Sequence, residues 1–206
     1  MRVIDLFAGC GGMSLGFENA GFNVIAAFDN WDAAIKIYES NFSHPIYKKD
    51  LSKDDIIQQI SDMRPDVIMG GPPCQDYSIA GKRELGKRAN LTIKFGEIVI
   101  AVKPMWVVFE NVYNIERFST VATLRQMLAD AGYGITTQVL DASRCGVPQK
   151  RQRFFLWALA WFYMARVPAV MPEQTLTGIS IFLSREKNNC HGLSGMNMRG
   201  LSNLSV

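Results

Sequence analysis

Val67-Ile68-Met69-Gly70-Gly71-Pro72-Pro73-Cys74-Gln75-Asp76-Tyr77-Ser78 joins an apolar run to a glycine- and proline-rich turn at the centre of the chain's pattern. An apolar run broken by two glycines and two prolines reads as a buried strand ending in a stiff turn. Proline fixes φ and offers no backbone donor, while glycine permits close approach. Cys74 is thereby presented at the carboxyl end of a strand. In open α/β sheets ligands bind along that edge, which makes the thiol a candidate nucleophile. A structural cysteine packed under the turn is the competing reading.

The same pattern of apolar run, turn and amphipathic helix recurs on both sides. Val3-Ile4-Asp5-Leu6-Phe7 runs into Ala8-Gly9-Cys10-Gly11-Gly12, after which Met13, Leu15, Gly16, Phe17 and Ala20 fall at helical spacing. Strand, glycine turn and helix open a nucleotide-binding α/β unit, although the spacing is not G-x-G-x-x-G and a tight turn without ligand remains open. Gly21 is placed to end the helix. The run 24–28 ends in Asp29-Asn30, where the acid can accept both hydroxyls of a ribose or cap the helix that begins near Trp31. Ala33, Ala34, Ile37 and Tyr38 give that helix its apolar stripe. Ile46-Tyr47 is a minimal third strand, followed by Asp50, which is placed either to reach an adenine amino group or to serve as a turn residue. A helix capped by Ser52 or Asp54 runs to about Met63, and the strand 66–69 leads to Cys74.

Downstream, residues 79–90 form a basic, glycine-containing loop with Lys82, Arg83, Lys87 and Arg88. It suits a nucleic-acid backbone, or is simply a solvated face. After an amphipathic helix over 91–102, the apolar run 105–109 has the character of a strand covered on both faces and ends in Glu110-Asn111-Val112. Glu110 is a carboxylate at the same edge as Cys74, able to donate a proton if desolvated or to pair with an arginine. A helix over 119–131 and a strand over 135–140 precede Arg151 and Arg153, which alternation puts on one face at the entry to a last strand, 154–159.

At 206 residues, with 48% hydrophobic and 20% charged residues, the chain is expected to be one soluble domain with a full core. A formal charge of +3 permits nucleic acid as a partner without arguing for it. Cys10, Cys74, Cys145 and Cys190 form no CxxC pair and His44 and His191 stand apart from them, so neither a metal site nor a disulfide framework is expected. With no leader pattern and no run long enough to span a bilayer, a cytoplasmic protein away from membranes is expected.

Together these residues resemble the DNA cytosine C5-methyltransferases. The resemblance covers residues 1 to about 157 and rests on four motifs in order, each at a strand end: Asp5-Leu6-Phe7-Ala8-Gly9-Cys10-Gly11-Gly12, Pro72-Pro73-Cys74-Gln75, Glu110-Asn111-Val112 and Gln149-Lys150-Arg151-Gln152-Arg153. It implies an α/β, Rossmann-like fold with a mostly parallel sheet, helices on both faces and an antiparallel last strand. It also implies S-adenosylmethionine as cofactor and double-stranded DNA as partner. The thiolate of Cys74 would add to C6 of a flipped cytosine while Glu110 protonates N3, Arg151 holds O2 and Arg153 supports Cys74 and the base pocket. C5 would then take the methyl group, and loss of the C5 proton would expel Cys74. By the same resemblance Phe7 lies against the adenine, Gly9 and Gly12 sit beside the methionine moiety, Asp29 takes the ribose hydroxyls, Asn30 borders the adenine, Asp50 binds its amino group and Pro73 lines the pocket.

Relatives continue into a target-recognition domain and two returning motifs, neither of which is found here. The expectation is therefore a catalytic domain over 1–159 and a tail over 160–206 that is irregular and not the family's, in a truncated or frameshifted chain. Two readings follow. One is an active enzyme helped by a separate recognition subunit or working beside a cognate restriction endonuclease; the other is an inactive remnant that keeps the fold and some cofactor binding. An RNA cytosine methyltransferase on the same scaffold is a further alternative.

Overall fold

The structure, a computed structural model, describes residues 1–73, 89–144 and 148–161. Cys74, the basic loop up to residue 88 and the tail from residue 162 lie outside the described residues. Every apolar run singled out above forms a strand and every amphipathic stretch a helix. In chain order these are β1 (Arg2–Leu6), α1 (Gly12–Asn19), β2 (Asn23–Asp29), α2 (Asp32–Asn41), β3 (Ile46–Lys48), α3 (Asp55–Asp62), β4 (Val67–Gly70), α4 (Ala89–Val102), β5 (Trp106–Val112), α5 (Ser119–Asp130), β6 (Tyr133–Asp141) and β7 (Gln152–Ala160).

The strands form one sheet in the order β3-β2-β1-β4-β5-β7-β6. β3, β2, β1, β4 and β5 pair in parallel, and β7 enters antiparallel between β5 and β6. A strand buried on both faces reads as a continuous apolar run, which is why β4 and β5 were legible without alternation. On one face Ile4, Leu6, Ile68, Phe109 and Leu156 pack with side chains of α3, α4 and α5. On the other, Val3, Val24, Val67, Met69 and Val108 pack with Met13 and Phe17 of α1. Each large apolar side chain so buried contributes about 1.5–3 kcal/mol.

Three local expectations are corrected. In α1, Leu15 is exposed and Ser14 is buried, because Ser14 faces the sheet and finds polar partners there. In α2 the buried stripe is Ala34, Ile35 and Tyr38, with Ala33 and Ile37 exposed. Strand β5 also runs on through Glu110 to Val112, because β7 supplies a hydrogen-bonded partner as far as Arg153 whereas β4 stops opposite Phe109. Helix ends follow backbone chemistry. Gly21 takes a φ of 83°, and its N–H and that of Phe22 donate to the carbonyls of Glu18 and Phe17, the bonding of a Schellman turn. Asp54 stands at the N-cap of α3 without capping it through its side chain; it pairs instead with Lys94 of α4.

Gly11 tests the tightness of this packing. Its φ is 88°, and a Cβ placed there would sit 2.3 Å from Phe42 and 2.9 Å from Tyr38. Gly11→Ala combines a left-handed backbone with overpacking, so it is expected to destabilise the fold by on the order of 3 kcal/mol, measured by urea unfolding. Gly12→Ala, where an added Cβ meets nothing within 4 Å, serves as the control and should lose far less.

Candidate active site

Strand register decides which residues can meet. Leu6 pairs with Phe28 and with Gly70, Phe28 with Tyr47, and Gly70 with Phe109. One residue further along each strand, Lys48, Asp29, Phe7, Gly71 and Glu110 therefore stand in a row at a single edge. This is the edge at which parallel sheets bind ligands.

The first half of that row is the glycine turn. Phe7 takes a φ of 59°, a conformation that costs a non-glycine residue about 1–2 kcal/mol. The turn is held by Ala8 N–H donating to the Phe28 carbonyl at 3.1 Å and Gly11 N–H donating to the Ala8 carbonyl at 2.9 Å. Asp29 accepts the Gly9 N–H at 2.8 Å through Oδ2 and the Trp31 N–H at 2.8 Å through Oδ1. The carboxylate thus ties the turn to the tip of β2, and it leads the backbone into α2 rather than capping it, since the N-cap position is Trp31. Lys49 N–H donates to the Asp29 carbonyl at 2.8 Å, which brings the end of β3 alongside. Asp50 follows there, exposed, with Oδ1 accepting the Ser52 N–H at 3.0 Å; hydrogen bonding from the Ser52 side chain and then from its N–H holds the Asp50 carboxyl below the usual range. Asn30 is exposed.

These residues suit a ligand that needs close backbone approach. Added Cβ atoms at Gly9 and Gly12 would meet nothing within 4 Å, while Gly11 is closed off by Phe42 and Tyr38. The turn is therefore open on one side and packed on the other. Beneath it Asp5 is fully buried, with Oδ2 hydrogen-bonded to the Ser14 hydroxyl at 2.7 Å and Oδ1 without a partner among the described residues. Burial pushes its carboxyl up to about 7.

The second half of the row is acidic and basic at once. Glu110 Oε1 lies 2.9 Å from Nε of Arg153, both side chains about a quarter exposed. Burial raises the Glu110 pKa above the ordinary range, and the guanidiniums of Arg153 and then Arg151 oppose that rise. A carboxyl raised by burial in this way keeps its proton more readily than an exposed glutamate paired to arginine, as a proton donor must. A Cβ at Gly71 would sit 3.0 Å from Glu110 Oε2, so the chain leaving β4 passes directly over that carboxyl. Asn111, buried, donates from Nδ2 to the Pro72 carbonyl at 2.9 Å. Pro73, exposed, follows, and Cys74 lies outside the described residues.

The sequence-predicted residues Phe7, Gly9, Gly12, Asp29, Asn30, Asp50, Pro73, Glu110, Arg151 and Arg153 are thus distributed along one edge. Asn111, Asp5, Ser14 and Tyr38 were not singled out for it. The signal for Asp5 was present, an acid inside the apolar run 3–7, and Asn111 is the middle residue of a motif whose first residue drew attention.

Arg153→Met should raise the Glu110 pKa further, because it removes the nearer of two opposing cations. A carbon-detected carboxyl titration would read that rise, and an unchanged or lowered value would contradict the attribution.

The sequence profile of the C-5 cytosine-specific DNA methylases matches residues 1–175. The chain belongs to this family. It is 52% identical over 158 residues to the Type II methyltransferase M.HindV of Haemophilus influenzae, covering 76% of this chain and 52% of that protein. It is likewise 52% identical over 158 residues to M.HgiDI of Herpetosiphon aurantiacus, covering 76% of this chain and 51% of the relative. A solved structure described as a prophage-encoded DNA modification methyltransferase from E. coli superposes with a TM-score of 0.69 at 31% identity, over 80% of this chain and 48% of the other. The S. pombe Dnmt2 methyltransferase, at 21% identity and a TM-score of 0.68, shares the fold. The chain spans about half the length of the curated relatives it matches. In this C5-methylase chain, among the described residues, no group of three metal-ligating side chains is assembled and no helix is long and apolar enough to cross a membrane.

Proposed function

We propose that this chain transfers a methyl group from S-adenosylmethionine to C5 of cytosine in double-stranded DNA, through a covalent bond between Cys74 and C6 of a flipped base. The observation that carries the reading is the Glu110–Arg153 pair at 2.9 Å, with Gly71 resting on the same carboxyl and the strand leading to Cys74 beside it. Attack by a thiolate on C6 builds charge on the ring, and a protonated Glu110 relieves it by giving its proton to N3. Arg153 orients that carboxyl, Arg151 holds the O2 carbonyl, and Asn111 fixes the Pro72-Pro73 turn that precedes Cys74 in the chain. When C5 has gained its methyl group, loss of the C5 proton restores the ring and the S–C6 bond breaks to release Cys74.

Phe7, Gly9, Gly12, Asp29, Asn30, Asp50 and Pro73 would hold the donor. Asp29 and Asp50 would meet its ribose and adenine, and the open side of the glycine turn its methionine end. When bound, the donor supplies a methyl group on a sulfonium and departs as a neutral thioether. The basic residues Lys82, Arg83, Lys87 and Arg88 would meet the DNA backbone.

Calorimetric titration with S-adenosylhomocysteine, together with transfer of labelled methyl to double-stranded DNA and to RNA, tests this. Micromolar binding and label at C5 of DNA cytosine are expected. Binding without transfer would favour a remnant that keeps only the pocket, label in RNA alone would move the substrate, and no binding would reject the pocket.

A further inference from the structure

Five side chains connect the floor of the glycine turn to the surface. Ser14 Oγ is hydrogen-bonded to Asp5 Oδ2 at 2.7 Å and lies 2.6 Å from the Tyr38 hydroxyl, which lies 2.6 Å from His44 Nε2. His44 Nδ1 is 2.9 Å from Glu18 Oε1, within ion-pair range though off the hydrogen-bond axis. Asp5, Ser14 and Tyr38 are fully buried. The charged groups facing the chain are Glu18 from α1, Asp29 from β2 and Asp5 itself.

Counting protons gives the bonds between Asp5 and His44 Nε2 two directions in which they can run together. Each hydroxyl has a single hydrogen to give. If Asp5 is a carboxylate, Ser14 donates to it, Tyr38 donates to Ser14 and His44 Nε2–H donates to Tyr38, and a second ring proton on Nδ1, which faces Glu18 Oε1 at 2.9 Å, makes the ring an imidazolium. If Asp5 holds the proton, every bond reverses and His44 is neutral with its hydrogen on Nδ1. Both states hold the same number of protons, so passing from one to the other takes none from solvent, and a break in the common direction of the bonds would leave a buried hydroxyl without a partner.

We propose that Asp5, Ser14, Tyr38 and His44 form a relay that moves a proton from Asp5 to His44 when the cationic methyl donor occupies the glycine turn. The inference rests on the donor pocket proposed above. Oδ1 of Asp5 has no partner among the described residues, so the free protein favours the uncharged carboxyl, and burial holding that carboxyl up to about 7 agrees. A sulfonium and an ammonium nearby favour the carboxylate. As Asp5 loses its proton to Ser14, Ser14 passes its own to Tyr38 and Tyr38 to Nε2 of His44. Burial also keeps the Tyr38 phenol from ionising, so it can relay a proton without holding charge.

The test is nitrogen NMR of histidine-labelled chain at about pH 6.5; of the two histidines, His44 and His191, the second is identified with His191→Gln. The free protein should show His44 as the neutral Nδ1–H ring, and saturating S-adenosylmethionine should convert it to imidazolium, with S-adenosylhomocysteine, which lacks the sulfonium charge, converting less of it. In Tyr38→Phe, and independently in Ser14→Ala, the donor should still bind by calorimetry while His44 ceases to respond. An unmoved His44 in the saturated wild type, an equal response in both variants, or a neutral Nε2–H ring in the free protein would overturn the relay. Absence of donor binding to the wild type would instead reject the pocket assignment, and the ring state of free His44 would still decide between the relay and its absence.

Discussion

Cys74→Ser should lower methyl transfer to DNA by on the order of 10⁴-fold or more, and Glu110→Gln by roughly 10³-fold. The double variant should be scarcely slower than Cys74→Ser alone. A serine hydroxyl is a far weaker nucleophile toward C6 than a thiolate, so the first substitution removes the step that builds charge on the base. Glu110 acts only on that charge. Once the attack is gone, there is nothing for its proton to relieve, and the two losses cannot add. The structural ground is the shared turn: Gly71 sits against Glu110 Oε2, and Asn111, the next residue in β5, bonds to the Pro72 carbonyl. Labelled methyl incorporation under single-turnover conditions measures all three variants. Additive losses would show that the two residues act in separate steps and would reject the mechanism proposed here.

The fold was legible because its strands are apolar runs punctuated by glycine and proline, and its helices carry one apolar face each. Both patterns are local and survive without tertiary information. Asp29 and Glu110 were legible for the same reason, as acids closing apolar runs. What the sequence hid was reciprocity across the sheet. That Gly71 rests on Glu110, that Arg153 turns its guanidinium onto that carboxyl and that Asp29 grips Gly9 follow from the register of β1, β2, β4, β5 and β7, which no local spacing encodes. The chain from Asp5 to Glu18 was hidden for a second reason. Ser14, Tyr38 and His44 lie on α1, on α2 and in the loop after it, and each looked like an ordinary helix or turn residue until the two helices met. Leu15 and Ile37 mark the limit of periodicity arguments: both sit at plausible helical spacing, but the faces actually covered are set by where the sheet and the neighbouring helix lie.

Asp5→Asn should remove the pH dependence that this buried acid imposes on stability. In the folded chain burial raises the Asp5 pKa from the ordinary 3.8 to about 7, with Asp29 adding to the rise and the Ser14 hydrogen bond opposing it. The folded state therefore holds the proton more tightly than the unfolded state. Its contribution is fully present below about pH 4 and is lost as pH rises through 7, a loss on the order of 4 kcal/mol. Asparagine keeps an oxygen to accept from Ser14 and has no proton to lose in that window. The unfolding free energy of Asp5→Asn relative to wild type should therefore climb between pH 4 and 8, whatever constant offset the amide introduces. Urea unfolding across that range reads it directly, and parallel curves would show that Asp5 carries no such proton.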